Sequence, residues 1–478
     1  MSSSSTSEEF LPPVIFAGLI GMCYLISVGA NDAANALGTA VGSGALSLQK
    51  AVIIGAIFEL LGATLVGGRT SSSLGEKFLD TDTFTNIEYS YAMFSALFGG
   101  AVWNSVATYF SLPVSSTHAI VGALVFIGIV QNGLNSVNWT EVGVTALSWF
   151  LSPLAGYLIS FALYFALNRY VMTQPSSFKL AAQISPYLNS VTIATLGLFT
   201  FMAGPKFMRI DNAWGLAALF FGLAFVSFFI FAKIILPWME TNGYINAGTL
   251  DADIENQSVD SFDAVKPEPA QPIFSKPLSS VETDNNNTIV ESLVSVTNSS
   301  SSPQSSGGKI SPAEPYFILP MVMTACCVAF AHGSNDVGNS VGPFAKALSI
   351  YNTNSMKATE TPTMVTFCGG IAIVIGLAAF GKRVIETVGK KITSLTFSKG
   401  FAAQYGASLA VLICTAMGLP ISTTSVLIGS IAGVGMASGN ENSVDLNVIK
   451  RIVLGWFATL PAAGVVAAII YAICKAAL

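Results

Sequence analysis

Charge is scarce in this chain. Of 478 residues, only 10% are Asp, Glu, Lys or Arg and two are histidine, whereas 52% are hydrophobic. With a mean hydropathy of +0.64, this composition excludes a water-soluble domain, whose charged share is typically about 25%. Basic residues are too few and too scattered for a nucleic-acid partner, which needs a positive face against phosphates. The six cysteines (Cys23, Cys326, Cys327, Cys368, Cys414 and Cys474) lack metal-ligand spacing and are read as buried free thiols. The opening "MSSSSTSEEF" lacks the basic region of a cleavable signal. The apolar stretch behind it has full span length, so it is read as retained.

What the chain does have is long apolar runs near the span length of about 20 residues. Seven fall at 12–30, 50–68, 91–110, 116–131, 142–167, 187–203 and 213–238, and five more at 316–332, 362–381, 401–417, 422–437 and 452–474. The expected fold is therefore an all-α polytopic membrane protein with about twelve transmembrane helices. Between 239 and 315 the composition turns to Ser, Asn, Asp, Pro and Thr, as in "SVTNSSSSPQSSGGK". Such a segment cannot bury enough apolar surface to order itself and reads as a flexible linker.

Basic residues favour cytoplasmic loops. With the N-terminus outside, fourteen Lys and Arg fall on the cytoplasmic side and seven on the outer side. The large loop is then cytoplasmic, and the sequon "NWT" at Asn138 faces outward.

Repetition organises the rest. "GANDAANALG" from Gly29 is echoed by "GSNDVGNSVG" from Gly333, and "LPVSSTHAIVGA" from Leu112 by "LPISTTSVLIGS" from Leu419. The separations are 304 and 307 positions. "WFLSPLAG" from Trp149 and "WFATLPAAG" from Trp456 form a weaker third pair. Seven spans lie between a motif and its echo, and this odd number inserts the second copy upside down, as in many secondary transporters. The expected organisation is a tail at 1–10, a first inverted repeat at 11–131, scaffold helices at 142–238, the loop at 239–315, a second inverted repeat at 316–437, and a scaffold helix at 452–478.

Each motif carries its own chemistry. Small residues around Gly29 and Ala30 suit close helix packing, but packing does not explain Asp32 and Asp336. Each aspartate costs about 2.5–3.5 kcal/mol or more near mid-membrane unless compensated. The runs carrying the motifs contain no Lys or Arg, so bound cations or protons are expected to compensate. Oxygen ligands suit a hard ion such as sodium, which makes Asn31, Asp32, Asn335 and Asp336 candidate ligands. Glu59 in "FELLGA" is a further candidate, or else a proton acceptor or a partner of Arg69.

Pro113 and Pro420 suit the heads of half-helices within broken spans. Ser115, Ser116 and Thr117, like Ser422, Thr423 and Thr424, then place hydroxyls and amide N–H groups at a positive helix end, a combination that binds oxyanions. Protonated phosphate fits better than sulfate because its O–H needs an acceptor, which Asp32 or Asp336 supplies.

These paired motifs, their order and the central polar loop resemble the inorganic phosphate transporter (PiT) family of sodium- or proton-coupled phosphate symporters. The resemblance spans the chain outside 1–10 and 240–312. It implies a plasma-membrane symporter, often a homodimer in the lipid bilayer, with no cofactor beyond its coupling ions. It points to Asn31, Asp32, Asn335 and Asp336 for sodium. For phosphate it points to Ser115, Ser116, Thr117, Ser422, Thr423 and Thr424, with Asn35 and Asn339 one turn beyond the aspartates lining the same cavity. Two departures stand out: Ser425 replaces a common histidine, and Gln404 replaces an acid of some animal members, which leaves sodium or proton coupling open. His118 and His332 are read as helix-packing groups or proton carriers. A Ser-His-Asp hydrolase is disfavoured because one catalytic site needs no duplication. A phosphate-binding sensor and a sulfate permease are the competing readings.

Overall fold

A computed structural model describes residues 3–68, 71, 77–110, 112–243, 245, 311–356, 361–391, 396–439 and 446–478. Its contacts separate a helical unit, Met1–Trp238 with Ser311–Leu478, from Met239–Ile310. Nearly all of the expected 239–315 loop lies outside the described residues, but its end does not. Ser311 onward is ordered into a short 3-10 turn, Glu314–Phe317, and the buried Glu314 carboxylate accepts the Ser398 N–H at 2.9 Å and hydroxyl at 2.7 Å. Residues 311–315 of the expected loop therefore belong to the helical unit.

Each apolar run becomes a helix. The first half comprises α1 (Ser3–Asn31), α2 (Ala33–Gly42), α3 (Leu48–Leu65), α4 (Asn86–Tyr109), α5 (Ser116–Asn132), α6 (Trp139–Leu167), α7 (Ser177–Ala203) and α8 (Ala213–Ile230). The second comprises α9 (Ile318–Thr353), α10 (Thr363–Lys391), α11 (Phe397–Ala416), α12 (Thr423–Ala437) and α13 (Leu446–Ala477). Among the described residues, eight helical segments are long and apolar enough to cross a membrane. Their outward faces carry large apolar side chains such as Leu19, Phe150 and Phe221 at 64–70% exposure. Water would oppose such a surface, but hydrocarbon does not. The same solvent corrects the expectation for the cysteines: Cys326 and Cys327 are buried, whereas Cys23 and Cys368 are exposed, at no penalty against lipid.

Packing is reciprocal between the two copies. A Cβ on Gly29 of α1 would lie 1.9 Å from the Ile373 carbonyl of α10, and one on Gly333 of α9 would lie 2.2 Å from the Glu59 carbonyl of α3. These glycines let backbones touch where any side chain would clash. The weaker third sequence pair follows the same rule. The helix carrying Trp149 (α6) packs on α12, and the helix carrying Trp456 (α13) packs on α5. Each half-helix is thus backed by a scaffold helix from the opposite half of the chain.

Candidate ion and oxyanion site

Local chemistry places both proline motifs, and one of the two Asn-Asp motifs, at interruptions. α1 ends at Asn31 and α2 resumes at Ala33, with Asp32 between them, its N–H still bonded to the Val28 carbonyl at 2.8 Å. In the second copy the chain is unbroken, and Asn335 and Asp336 lie inside the 36-residue α9. At both proline motifs the backbone is extended and a helix starts three residues after the proline. Ser115 N-caps α5 by accepting the His118 N–H, and Ser422 N-caps α12 by accepting the Ser425 N–H, both at 3.2 Å. A serine N-cap preceded by proline gives an abrupt helix start.

The two starts meet. Thr117 Oγ1 donates to the Ile421 carbonyl at 2.9 Å, and its counterpart Thr424 Oγ1 reaches the Val114 carbonyl at 3.5 Å. Asn31 fastens the first start by accepting the Val114 N–H at 3.1 Å and donating to the Leu112 carbonyl at 2.9 Å. Asn335 fastens the second by donating to the Ile421 carbonyl at 3.0 Å. The first amide N–H groups of each half-helix have no intrahelical partner, so two positive helix ends converge on one buried place.

The aspartates converge on the same place. One ligand atom from each of Asp32, His332 and Asp336 lies within 4.8 Å of the others. Asp336 accepts from Asn335 at 2.7 Å, from Thr423 at 3.1 Å and from Asn339 at 3.4 Å. Asn339 also donates to Ser116 at 3.0 Å, so the two copies are stitched through side chains. Asp32 Oδ1 has no hydrogen-bond partner among the described residues. All of these residues are buried.

Glu59 and His332 change the expected compensation. Both Glu59 oxygens lie 2.7–2.8 Å from His332 Nδ1, and His332 Nε2 lies 2.8 Å from Asp336 Oδ2. The sequence offers Arg69 as a partner for Glu59 and no side-chain partner for Asp336, yet an imidazole stands between the two carboxylates. The signal was available, since His332 precedes Asp336 by four positions and therefore shares its helix face. Arg69, the other partner considered for Glu59, lies outside the described residues, and so does the Asn35 side chain. Tyr24, whose hydroxyl donates to the Ser116 carbonyl at 2.6 Å, carried no motif and went unnoticed. His118 lies apart, its ring centroid 4.0 Å from that of Trp149.

Gln404 is buried between three helices, accepting from Thr324 at 3.1 Å and donating to the Ala36 carbonyl at 3.2 Å and to Thr39 Oγ1. An amide both donates and accepts here, which a carboxylate cannot do.

The chain as a whole is similar to known proteins. The phosphate transporter family model matches residues 28–467. The chain is 34% identical to a candidate phosphate permease of Chlamydia pneumoniae, covering 95% of this chain and 96% of that one. It is 33% identical to the chloroplastic inorganic phosphate transporter 2-1 of Arabidopsis thaliana, covering 95% and 70%. A solved structure titled as the sodium-dependent phosphate transporter superposes with a TM-score of 0.78 at 29% identity, covering 98% of this chain and all of the other. A family match across most of the sequence, on a fold that brings both motif pairs together, means that this chain belongs to the phosphate transporter family.

Proposed function

We propose that the protein imports inorganic phosphate across a plasma membrane by symport with sodium, through alternating access of two oppositely inserted repeats. The carrying observation is the meeting of two aspartates with two half-helix N-termini in one buried site. No lysine or arginine there forms an ion pair with Asp32, Glu59 or Asp336 among the described residues. Phosphate is held by the ends of α5 and α12, with Ser115, Ser116, Thr117, Ser422, Thr423, Thr424 and Asn339 supplying polar groups. Sodium binds through Asn31, Asp32, Asn335 and Asp336, with Glu59 held in reserve behind His332. Anion and cation each offset the other's burial, so each promotes the other's binding, reciprocally.

Every net positive charge carried inward contributes about 2.3 kcal/mol per 100 mV, so excess sodium drives phosphate uphill. The crossed contacts of α5 with α13 and α12 with α6 support a two-fold relation between the copies, which alternating access exploits. The N-terminus faces outward in this reading. Proteoliposomes under an imposed sodium gradient test it: labelled phosphate accumulates above its equilibrium level. Binding of phosphate without accumulation identifies a sensor instead, accumulation under a proton gradient alone reassigns the coupling ion, and preferential uptake of sulfate reassigns the substrate.

A further inference from the structure

A second polar basin lies away from the central site. It encloses about 370 Å³ where the ends of α3 and α7 meet the start of α10, and its walls include Lys206, Arg209, Thr64, Thr361, Thr363 and Thr366. Two cations stand together here in a chain with only 21. Asp211 engages Arg209 through Nε at 2.7 Å, at the root of the guanidinium rather than its terminal nitrogens. α10 begins at the basin wall, where Thr363 and Thr366 bring the positive end of its dipole to the basin. Thr361 Oγ1 is buried and has no hydrogen-bond partner among the described residues. A cavity with two cations, a helix N-terminus and a hydroxyl without a partner among the described residues has the chemistry of an oxyanion site.

Its position relates it to the central site. Met364, next to Thr363, shares an apolar groove with Val14 of α1, so the basin opens at the side of the membrane where α1 begins. Thr366 precedes Ile373 by seven residues, roughly 10 Å along α10, and Ile373 abuts Gly29. From the other wall, Gly67 lies against Val337, the neighbour of Asp336, where a Cβ would come within 2.3 Å of Val337 Cγ1. Helices that wall the basin thus also pack against residues beside both aspartates.

We propose that this basin is an accessory docking site for a phosphate group, from which free phosphate is passed toward the central site. The direction of passage rests on the orientation proposed above, whereas the docking does not. A lipid headgroup phosphate presents the same chemistry, so the test separates the two sources.

The K206Q/R209Q variant is compared with wild type in phosphatidylcholine proteoliposomes with and without phosphatidylglycerol, and purified protein is titrated with inorganic phosphate. With free phosphate as ligand, the variant's KM for phosphate rises about threefold to tenfold in both lipids, as lost steering charge predicts. Maximal rate and sodium dependence stay unchanged, a weaker second binding event disappears from the titration, and the charge-retaining K206R/R209K variant restores both. With a headgroup as ligand, KM is unchanged, while phosphatidylglycerol raises the melting temperature of wild type and not of the variant. Identical KM, titration and lipid response in variant and wild type overturn the proposal. Failure of wild type to accumulate phosphate sinks the symport reading instead, and the titration and melting arms still read the basin.

Discussion

The two copies of the Asn-Asp motif hold equivalent aspartates in unequal surroundings. Asp32 lies at the break between α1 and α2, while Asp336 lies within a continuous α9. The crossed glycine contacts identify the equivalent neighbours: Gly29 backs onto Ile373 as Gly333 backs onto Glu59, and the 304-residue offset pairs Val28 with His332. At the equivalent places the first copy has a valine and an isoleucine and the second an imidazole and a carboxylate, although His332 also lies within 4.8 Å of Asp32. Only the first copy has the Tyr24 hydroxyl on its half-helix. What the copies share, an acid beside a hydroxyl-rich helix start, is what binding an ion and an oxyanion requires. Under the proposed symport, what they do not share decides how each acid is made tolerable when its ion leaves.

The largest effect should come from removing the shared part. Asp32→Asn and Asp336→Asn are each expected to lower sodium-driven phosphate uptake at least a hundredfold, about 2.7 kcal/mol or more, with the protein still folded in the membrane. Full uptake by either variant would show that the copies are unequal in function as well as in surroundings. The unshared part comes next. His332→Val strands the Glu59 carboxylate and should destabilise the protein by about 3–5 kcal/mol. The double variant Glu59→Ile with His332→Val gives the second copy the apolar flank of the first, and should recover most of that loss. Thermal melting in detergent measures both, and a double variant no better than the single would show that the pair does more than satisfy itself.

A smaller loss is expected at the backbone contacts. Gly29→Ala and Gly333→Ala should cost about 1–3 kcal/mol each through overpacking, and similar melting shifts would confirm the equivalence of the two interfaces. The smallest difference separates the crossing hydroxyls. Thr117→Val removes a 2.9 Å bond and should cost about 1 kcal/mol, whereas Thr424→Val removes a 3.5 Å contact and should cost less. Phosphate affinity and melting, measured side by side, check that order.

Much of this arrangement was legible in the chain. The apolar runs gave the helices because a bilayer requires every backbone group to be bonded within its own segment. Pro113 and Pro420 marked the two breaks, although each half-helix starts three residues after its proline, behind the Ser115 or Ser422 cap, because proline and a serine cap act locally. The bridge from Glu59 to His332 was not legible, since 273 positions separate them and neither sits in a periodic pattern naming the other. The interruption at Asp32 and its absence at Asp336 were also hidden, because "GANDAAN" and "GSNDVGN" carry the same local signals.

The sequence by itself determined that the chain lies in a membrane, that its core motifs occur twice, and that two acids need compensation in hydrocarbon, because composition, repetition and charge are properties of the chain alone. Only the tertiary structure decided that both acids and both half-helix starts share one pocket, that His332 stands between two carboxylates, and that Lys206 and Arg209 gather beside the head of α10. Those outcomes depend on which helices pack together, and packing joins residues hundreds of positions apart through glycine contacts and hydrogen bonds that no local pattern records.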